Sequence, residues 1–303
     1  MSVLFLFIDG IGVGEYGEYN PLCRPEWDSL MKLTGGQGLN SGAKPVSAKD
    51  LIFRAVDATL DVRGLPQSGT GQASLFSGGN ASKLIGRHFG PFPHSRTRFL
   101  LEEESLFQKV LEKGLKPHFI NGYPDIFFEK MSRRNRWTCT TLMASSAGQR
   151  LNRMKEVTEG RAITADITQE VWGTHLHSDV KEITAEEAAG RFLKVAESYD
   201  LTMFEYYLTD KAGHSMRLEE SLVVLNILNR FINHIIQYKE NSDHLIICSD
   251  HGNLEDLSVK THTRNPVPLI AYGGNVSGIK KAHSIMDVTD IILGLLDEGS
   301  EAE

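Results

Sequence analysis

A three-layer α/β/α sandwich built on a mostly parallel central sheet is the fold class predicted for this 303-residue chain, and three observations point to it. Short apolar runs such as Val3 to Ile8 have no polar face, as expected of strands buried on both sides. Longer segments with apolar residues three, four or seven apart alternate with such runs, which is the α/β signature. Asp and His residues stand just beyond several of the runs, where open α/β sheets build their sites.

The elements follow in order. Val3 to Ile8 stops at Asp9-Gly10-Ile11-Gly12, so Asp9 is expected at the C-terminal end of the first strand. Leu51 to Val56 is a second strand, and the loop Gly64-Leu65-Pro66-Gln67-Ser68-Gly69-Thr70-Gly71 leads into a helical first turn over Gln72 to Phe76. Ser105 to Lys113 ends on Gly114 as a helix with a glycine stop, feeding a strand over Pro117 to Asn121. Thr184-Ala185-Glu186-Glu187 has capping-box spacing and opens a helix to about Tyr199, with Leu201 to Leu208 as the next strand. Leu218, Leu222, Leu225, Ile232 and Ile235 mark a long amphipathic helix over 216–238. His244 to Cys248 and Val267 to Ala271 are further strands, and Ile285 to Leu296 is the closing helix. Residues 122–180 follow no clear period and are expected as a small lid or elaboration within a single domain spanning 1–303.

Composition narrows the function. A net charge of -7 and a pI near 5.9 argue against duplex nucleic acid as a partner, since such proteins show a basic face. Cys23, Cys139 and Cys248 are too few and too scattered for a disulfide framework or a thiolate metal knuckle, which favours a reducing cytoplasm. The opening run lacks a basic n-region and is too short for a signal peptide, and no segment approaches the roughly 18 apolar residues of a membrane helix.

Four clusters carry metal-ligand chemistry: Asp9; Thr209-Asp210-Lys211-Ala212-Gly213-His214; Ser249-Asp250-His251-Gly252-Asn253; and His262-Thr263-Arg264-Asn265-Pro266-Val267-Pro268. Alone, Asp9-Gly10 is an ordinary turn and Asp210-x-x-x-His214 a solvated segment. Together they supply oxygen and nitrogen donors without thiolates, which points to a catalytic centre for two divalent ions, Zn or Mn with Mg as a further option.

In these motifs and their order the chain resembles the alkaline phosphatase superfamily. Within it, the similarity is to the metalloenzyme domain of cofactor-independent phosphoglycerate mutase and phosphopentomutase. The matching residues are Phe7-Ile8-Asp9-Gly10, Gly64-Leu65-Pro66, Asp210-x-x-x-His214, Ser249-Asp250-His251-Gly252-Asn253 and His262-Thr263-x-Asn265-Pro266-Val267-Pro268. The resemblance implies an alkaline-phosphatase-like fold in which Asp210, His214 and His262 hold one metal and Asp9, Asp250 and His251 the other. It also implies a nucleophilic hydroxyl at the N-terminus of a helix after a glycine-containing loop. Ser68, Thr70 and Ser74 are all available there. Thr70, between Gly69 and Gly71, is expected to be the nucleophile and a metal ligand, since phosphopentomutases use a Thr followed closely by Gly; aligning Gly64-Leu65-Pro66 on the phosphoglycerate mutase pattern instead puts Ala73 at the serine position.

Those mutases insert a substantial domain between the nucleophile and the Asp-x-x-x-His motif, and residues 71–209 leave no room for a full one. The expected activity is therefore hydrolysis of a phosphomonoester or phosphodiester, acting on a small phosphorylated metabolite through a phosphothreonine. Alternatives are a phosphomutase with a small lid and a non-catalytic metal- or anion-binding protein. Sulfatase chemistry is disfavoured because no Cys lies in the Thr70 loop. Asn80, Arg87 and Lys211 are the substrate candidates, with His88, Arg96 and Arg98 nearby in sequence and His175 and His177 at the entrance.

Overall fold

Val3–Ile8 (β1) is buried along its whole length, and the two-residue period of a strand sends its side chains into different cores. Val3, Phe5 and Phe7 join one cluster with Ala73, Phe76, Val288 and Ile292, whereas Leu4, Leu6 and Ile8 join another with Ala188, Phe192, Leu228 and Phe231. His244–Cys248 (β8) divides in the same way, with Ile246 and Cys248 on the first side and Leu245 and Ile247 on the second. One sheet between two helical layers follows from this division. It is the three-layer sandwich the apolar runs predict. The computed structural model describes residues 1–134, 136–176, 180–279 and 281–300.

The other strands of the main sheet are Val46–Ser47 (β2), Leu51–Val56 (β3), Pro117–Phe119 (β4), Leu201–Tyr206 (β7) and Val267–Tyr272 (β9), and the order across it is β2-β3-β9-β8-β1-β7-β4. β4, β7, β1 and β8 are mutually parallel, while β9 runs antiparallel to β8 and β3 antiparallel to β9. This reversal has a functional consequence. Asp9 and Asp250 stand just after β1 and β8, and His262 stands just before β9; because β9 runs the other way, all three lie at one edge of the sheet.

Helices Ala185–Ala196 and Leu218–Tyr238 cover one face, the first opened by the expected Thr184 capping box. Ser68–Ser77 and Asp287–Ser300 cover the other. Several boundaries move. The helix expected over Gln72 to Phe76 begins at Ser68, and Leu208 opens helix Leu208–Ser215 instead of closing β7. The strand expected over Pro117 to Asn121 divides: β4 stays in the main sheet, and Asn121–Gly122 (β5) pairs with Ile163–Thr164 (β6). The free edge of β4 is closed by the Gln149 amide, which accepts from Phe119 N at 2.7 Å and donates to Phe119 O at 2.7 Å. A side chain thus replaces a neighbouring strand. Within 122–180, Val157, Ala162, Trp172 and Val180 form a small separate cluster.

Phe76 links the sheet to the helix that carries the Ser68 loop, meeting Phe5 and Phe7 edge-on with ring centroids 6.4 and 5.1 Å apart. Phe76→Ala should lower unfolding free energy by about 3–5 kcal/mol in urea melts. A loss below about 1 kcal/mol would mean that the helix is held by other contacts.

Candidate metal centre

The site is assembled where the backbone leaves the sheet. Asp9 N donates to Tyr206 O at 3.0 Å, continuing the β1–β7 ladder by one residue, and Gly10 then turns with φ of 70°. A Cβ on Gly10 would lie 2.7 Å from the Asp210 side chain, so close approach as well as the left-handed backbone demands glycine. Asp210 lies in the first turn of Leu208–Ser215 and His214 one turn later, which puts both on one helical face. Asn253 holds Asp210 by donating from Nδ2 to its Oδ1 at 2.6 Å and to its carbonyl at 3.0 Å. The loop after β8 is closed by Ser249 Oγ, which accepts from Ile11 N at 3.1 Å and donates to His251 O at 3.1 Å.

Two groups of ligand atoms result. In the first, His214 Nε2 lies 3.4 Å from Asp210 Oδ2, and His262 Nε2 lies 3.6 Å from Asp210 Oδ1. His214 Nδ1 is 2.8 Å from Lys260 O and His262 Nδ1 is 2.7 Å from Pro66 O. A carbonyl only accepts, so each Nδ1 carries the proton and each Nε2 presents a lone pair in the neutral ring. Those two Nε2 atoms face each other at 3.2 Å. Two opposed lone pairs call for a cation between them, and carbonyl-anchored imidazoles are the usual outer support of a metal ligand.

In the second group, His251 Nε2 lies 3.4 Å from Asp9 Oδ1 and 3.5 Å from Asp250 Oδ2. Asp9 Oδ1 and both Asp250 carboxylate oxygens are buried without a hydrogen-bond partner. Burial raises the Asp9 carboxyl well above its ordinary range, with the Asp250 and Asp210 charges adding to it, and burial likewise raises Asp250. Burial pushes the His251 imidazole down to about 3, so it is neutral and has a lone pair to give. Buried anions with bare oxygens beside a neutral imidazole fit a divalent cation. His251 lies between the groups, within ligand reach of Asp210 and His262 as well as of Asp9 and Asp250, and its ring stacks on His262 with centroids 3.8 Å apart.

Ser68, two residues before the expected Thr70, brings its hydroxyl beside a ligand residue. Thr70 is fully buried; its Oγ1 accepts from Phe89 N at 3.1 Å and is 3.3 Å from Gln67 O, so it secures the Phe89 loop. Ser68 Oγ lies 3.1 Å from His251 Nε2, at the first position of Ser68–Ser77. The first N–H groups of a helix have no acceptor within it, so this end favours an anion. Sequence spacing set Ser68 and Thr70 side by side; what separates them is the start of the helix two residues before Thr70. Gln72, one turn on from Ser68, reaches Asp9 Oδ2 at 3.3 Å.

The substrate candidates are scattered. Asn80 caps helix Ala81–Ile85 by accepting from Lys83 N and donates to Leu60 O at 2.9 Å; it follows the far end of Ser68–Ser77. Arg87 lies over the Phe89 ring at 5.7 Å, and Lys211 is exposed beside Asp210. His88 is engaged by Ser82 and Val62, and Arg98 pairs with Glu102 at 2.8 Å. Arg96 is exposed. His177 and the side chain of His175 lie outside the described residues. Arg136, by contrast, stands over Phe92, whose carbonyl packs against Gly69 next to Ser68. Glu205, which no motif signalled, is buried on β7 and accepts from Thr140 Oγ1 at 2.8 Å.

A family model described as the Metalloenzyme superfamily matches residues 118–295. Among curated proteins, the 2,3-bisphosphoglycerate-independent phosphoglycerate mutase of Mycoplasmopsis synoviae (strain 53) is 32% identical over 101 residues, covering 31% of this chain and 20% of that protein. The matched part of the chain thus spans about a fifth of that relative's length. Among solved structures, the alkaline phosphatase of the Antarctic bacterium TAB5 has a TM-score of 0.57 at 10% identity, covering 98% of this chain and 97% of the other. The phosphonate monoester hydrolase of Silicibacter pomeroyi has a TM-score of 0.51 at 14% identity, covering 98% of this chain and 73% of the other. At such identities these two structures establish the alkaline-phosphatase-like fold.

Burial raises the Glu205 carboxyl from 4.5 to about 7. A folded-state pKa above the unfolded one gives stability that is complete below about pH 4.5 and lost as pH rises through 7. In metal-free protein, the stability of wild type relative to Glu205→Gln should therefore fall by roughly 3 kcal/mol between pH 4 and pH 8. Paired urea melts across that range check it, and a constant difference would count against a protonated Glu205.

Proposed function

Because the chain belongs to the Metalloenzyme superfamily, we propose that it is a two-metal-dependent phosphohydrolase acting on a phosphomonoester through a phosphoserine formed on Ser68. The observation that carries this reading is the Ser68 hydroxyl, 3.1 Å from His251 Nε2 at a helix N-terminus between two groups of carboxylate and imidazole ligands. In this reading Asp210, His214 and His262 hold one divalent ion, and Asp9, Asp250 and His251 the other. When bound, the ions supply positive charge that favours the ionised Ser68 hydroxyl and stabilises charge on the phosphoryl oxygens and the leaving oxygen.

The chain's own groups do the rest. Ser68 Oγ attacks phosphorus, losing its proton to solvent as the bond forms, and the bond to the leaving oxygen breaks; that oxygen takes up a proton as the alcohol departs. In this reading the N-terminus of Ser68–Ser77 faces the transferred group, and Arg136, over the Phe92 ring, and the exposed Lys211 meet its outer oxygens. Water then attacks phosphorus and the phosphorus–Oγ bond breaks, which restores Ser68 and releases phosphate. Access for that water is supported by the His214 side chain, 40% exposed, on the open side of the first ligand group.

The match to a phosphoglycerate mutase supports a second reading, return of the phosphoryl group to another hydroxyl of the substrate. Between the two, the small size of the separate cluster within 122–180 and the exposed His214 favour water as acceptor. Among the described residues no helix is long and apolar enough to cross a membrane. The free thiols Cys23, Cys139 and Cys248 support a reducing, cytoplasmic setting, with a small phosphorylated metabolite as substrate.

The test uses protein loaded with Zn or Mn and a panel of phosphomonoesters, phosphodiesters and sugar phosphates, scoring released phosphate and the phosphorylated residue. Ser68→Ala should lose about a thousandfold or more in turnover. Thr70→Val should keep the activity while losing about 1–3 kcal/mol of stability, because Phe89 N is left without its acceptor. Phosphate recovered on Thr70, or full turnover by Ser68→Ala, would overturn the assignment; sugar-phosphate isomerisation without released phosphate would favour the mutase reading.

A further inference from the structure

We propose that Glu255 is a positioning residue, a buried carboxylate that fixes the three ligand-bearing loops against one another while touching neither metal position. The inference rests on the two-metal reading above. Glu255 is 1% exposed. Its Oε2 accepts from Gly12 N at 2.9 Å and from Asn253 N at 2.7 Å. Its Oε1 accepts from Thr263 Oγ1 and from Asn265 Nδ2, the latter at 3.1 Å. Gly12 belongs to the loop that leaves Asp9, Asn253 to the loop of Asp250 and His251, and Thr263 and Asn265 to the loop of His262.

All four partners donate, and an ionised carboxylate, which accepts only, has about four lone-pair positions to receive them. Glu255 is thereby saturated and has no lone pair left for a cation. Three glycines make room for it independently of those bonds. A Cβ on Gly14 would lie 2.6 Å from Glu255 Cγ, and a Cβ on Gly12 or Gly252 would collide with Oε1. Gly12, Gly14 and Gly252 are therefore explained by the carboxylate packed against them.

Gln at 255 matches the donors as they stand in neither orientation, because each carboxylate oxygen receives two donors and an amide NH2 accepts none. The less costly orientation points NH2 at Thr263 and Asn265, whose hydroxyl must reverse and whose amide must turn over to accept, whereas backbone N–H groups cannot. The Gly12–Asn253 arm then survives and the Thr263–Asn265 arm loosens. The damage should fall first on His262, and so on the site of Asp210, His214 and His262.

Stepwise cobalt(II) titration of metal-free protein, read by visible absorption and by equilibrium dialysis, tests this without relying on turnover. It is run at a temperature where circular dichroism shows each variant folded. Glu255→Gln should weaken the Asp210–His214–His262 site by about 10- to 100-fold and alter its cobalt spectrum, with less loss at the other site. Thr263→Val, which removes one donor and retains the carboxylate, should weaken the same site by less and provides the test if Glu255→Gln does not fold. Cobalt affinities and spectra equal to wild type in a folded variant, even one with a lowered melting temperature, would overturn the inference alone. Wild type binding fewer than two ions per chain would overturn the two-metal reading and the inference with it.

Discussion

Two carboxylates sunk into the edge of a sheet govern the arrangement around them. Asp9 and Asp250 are buried beside each other with three of their four oxygens lacking a hydrogen-bond partner. No fold tolerates that charge without compensation, since an unpaired buried anion costs several kcal/mol or protonates. The neighbouring groups do not compensate it: His251 is held neutral by burial, and Asp210 adds negative charge. Compensation has to come from a cation, and the His214 and His262 rings with their opposed Nε2 atoms make the same demand a few ångströms away.

The sheet keeps these groups together. β1 and β8 are adjacent and parallel, so Asp9 and Asp250 leave the sheet side by side, and β7 on the other flank of β1 delivers Asp210 through the first turn of its helix. The antiparallel β9 returns His262 to the same edge. Helix Ser68–Ser77 closes the group from one layer, approaching so nearly that a Cβ at Gly71 would lie 2.8 Å from Asp250 O. The core aromatic contacts between Phe76 and Phe5 and Phe7 therefore fix a nucleophile candidate relative to a metal position as well as one layer relative to another.

How much of this was legible in the sequence depended on whether the signal was local. Buried strands such as Val3 to Ile8 and His244 to Cys248 show themselves as unbroken apolar runs, and the Thr184 box marks a helix start, so those elements lie where expected. The ligand clusters were legible because Asp and His at strand ends have little packing value. Which hydroxyl lies beside them is not legible, because Ser68 and Thr70 differ only in helical phase, and that phase is set by packing of Gly69 against Phe92 and of Thr70 against Phe89, contacts made by a loop twenty residues on. The place of Asn80 is not legible for a similar reason. Its nearness to the motif in sequence is undone by the helix between them, and its side chain caps the next helix. Glu205 and Glu255 carry no sequence signal of their own, since a buried glutamate is recognised only once its donors are known.

Burial is graded across the centre, and the grading bears on what reaction it can run. Asp250 and His251 are fully buried and Asp9 nearly so, whereas Asp210 and His214 have side chains 19% and 40% exposed. The deep half is preorganised and dry, suited to holding Ser68 and the transferred group in a fixed geometry. The shallow half opens to solvent beside Lys211, where an acceptor must enter once the first bond has broken. An enzyme that returns the phosphoryl group to its own substrate has to exclude water from that half, which takes a body of chain able to close over it. Among the described residues of 122–180 are short helices and one cluster of four buried hydrophobic side chains separate from the two main cores, much less than a second core. Buried ligand side chains beside a half-buried Ser68, and a solvent-open His214, favour water as acceptor in the proposed reaction.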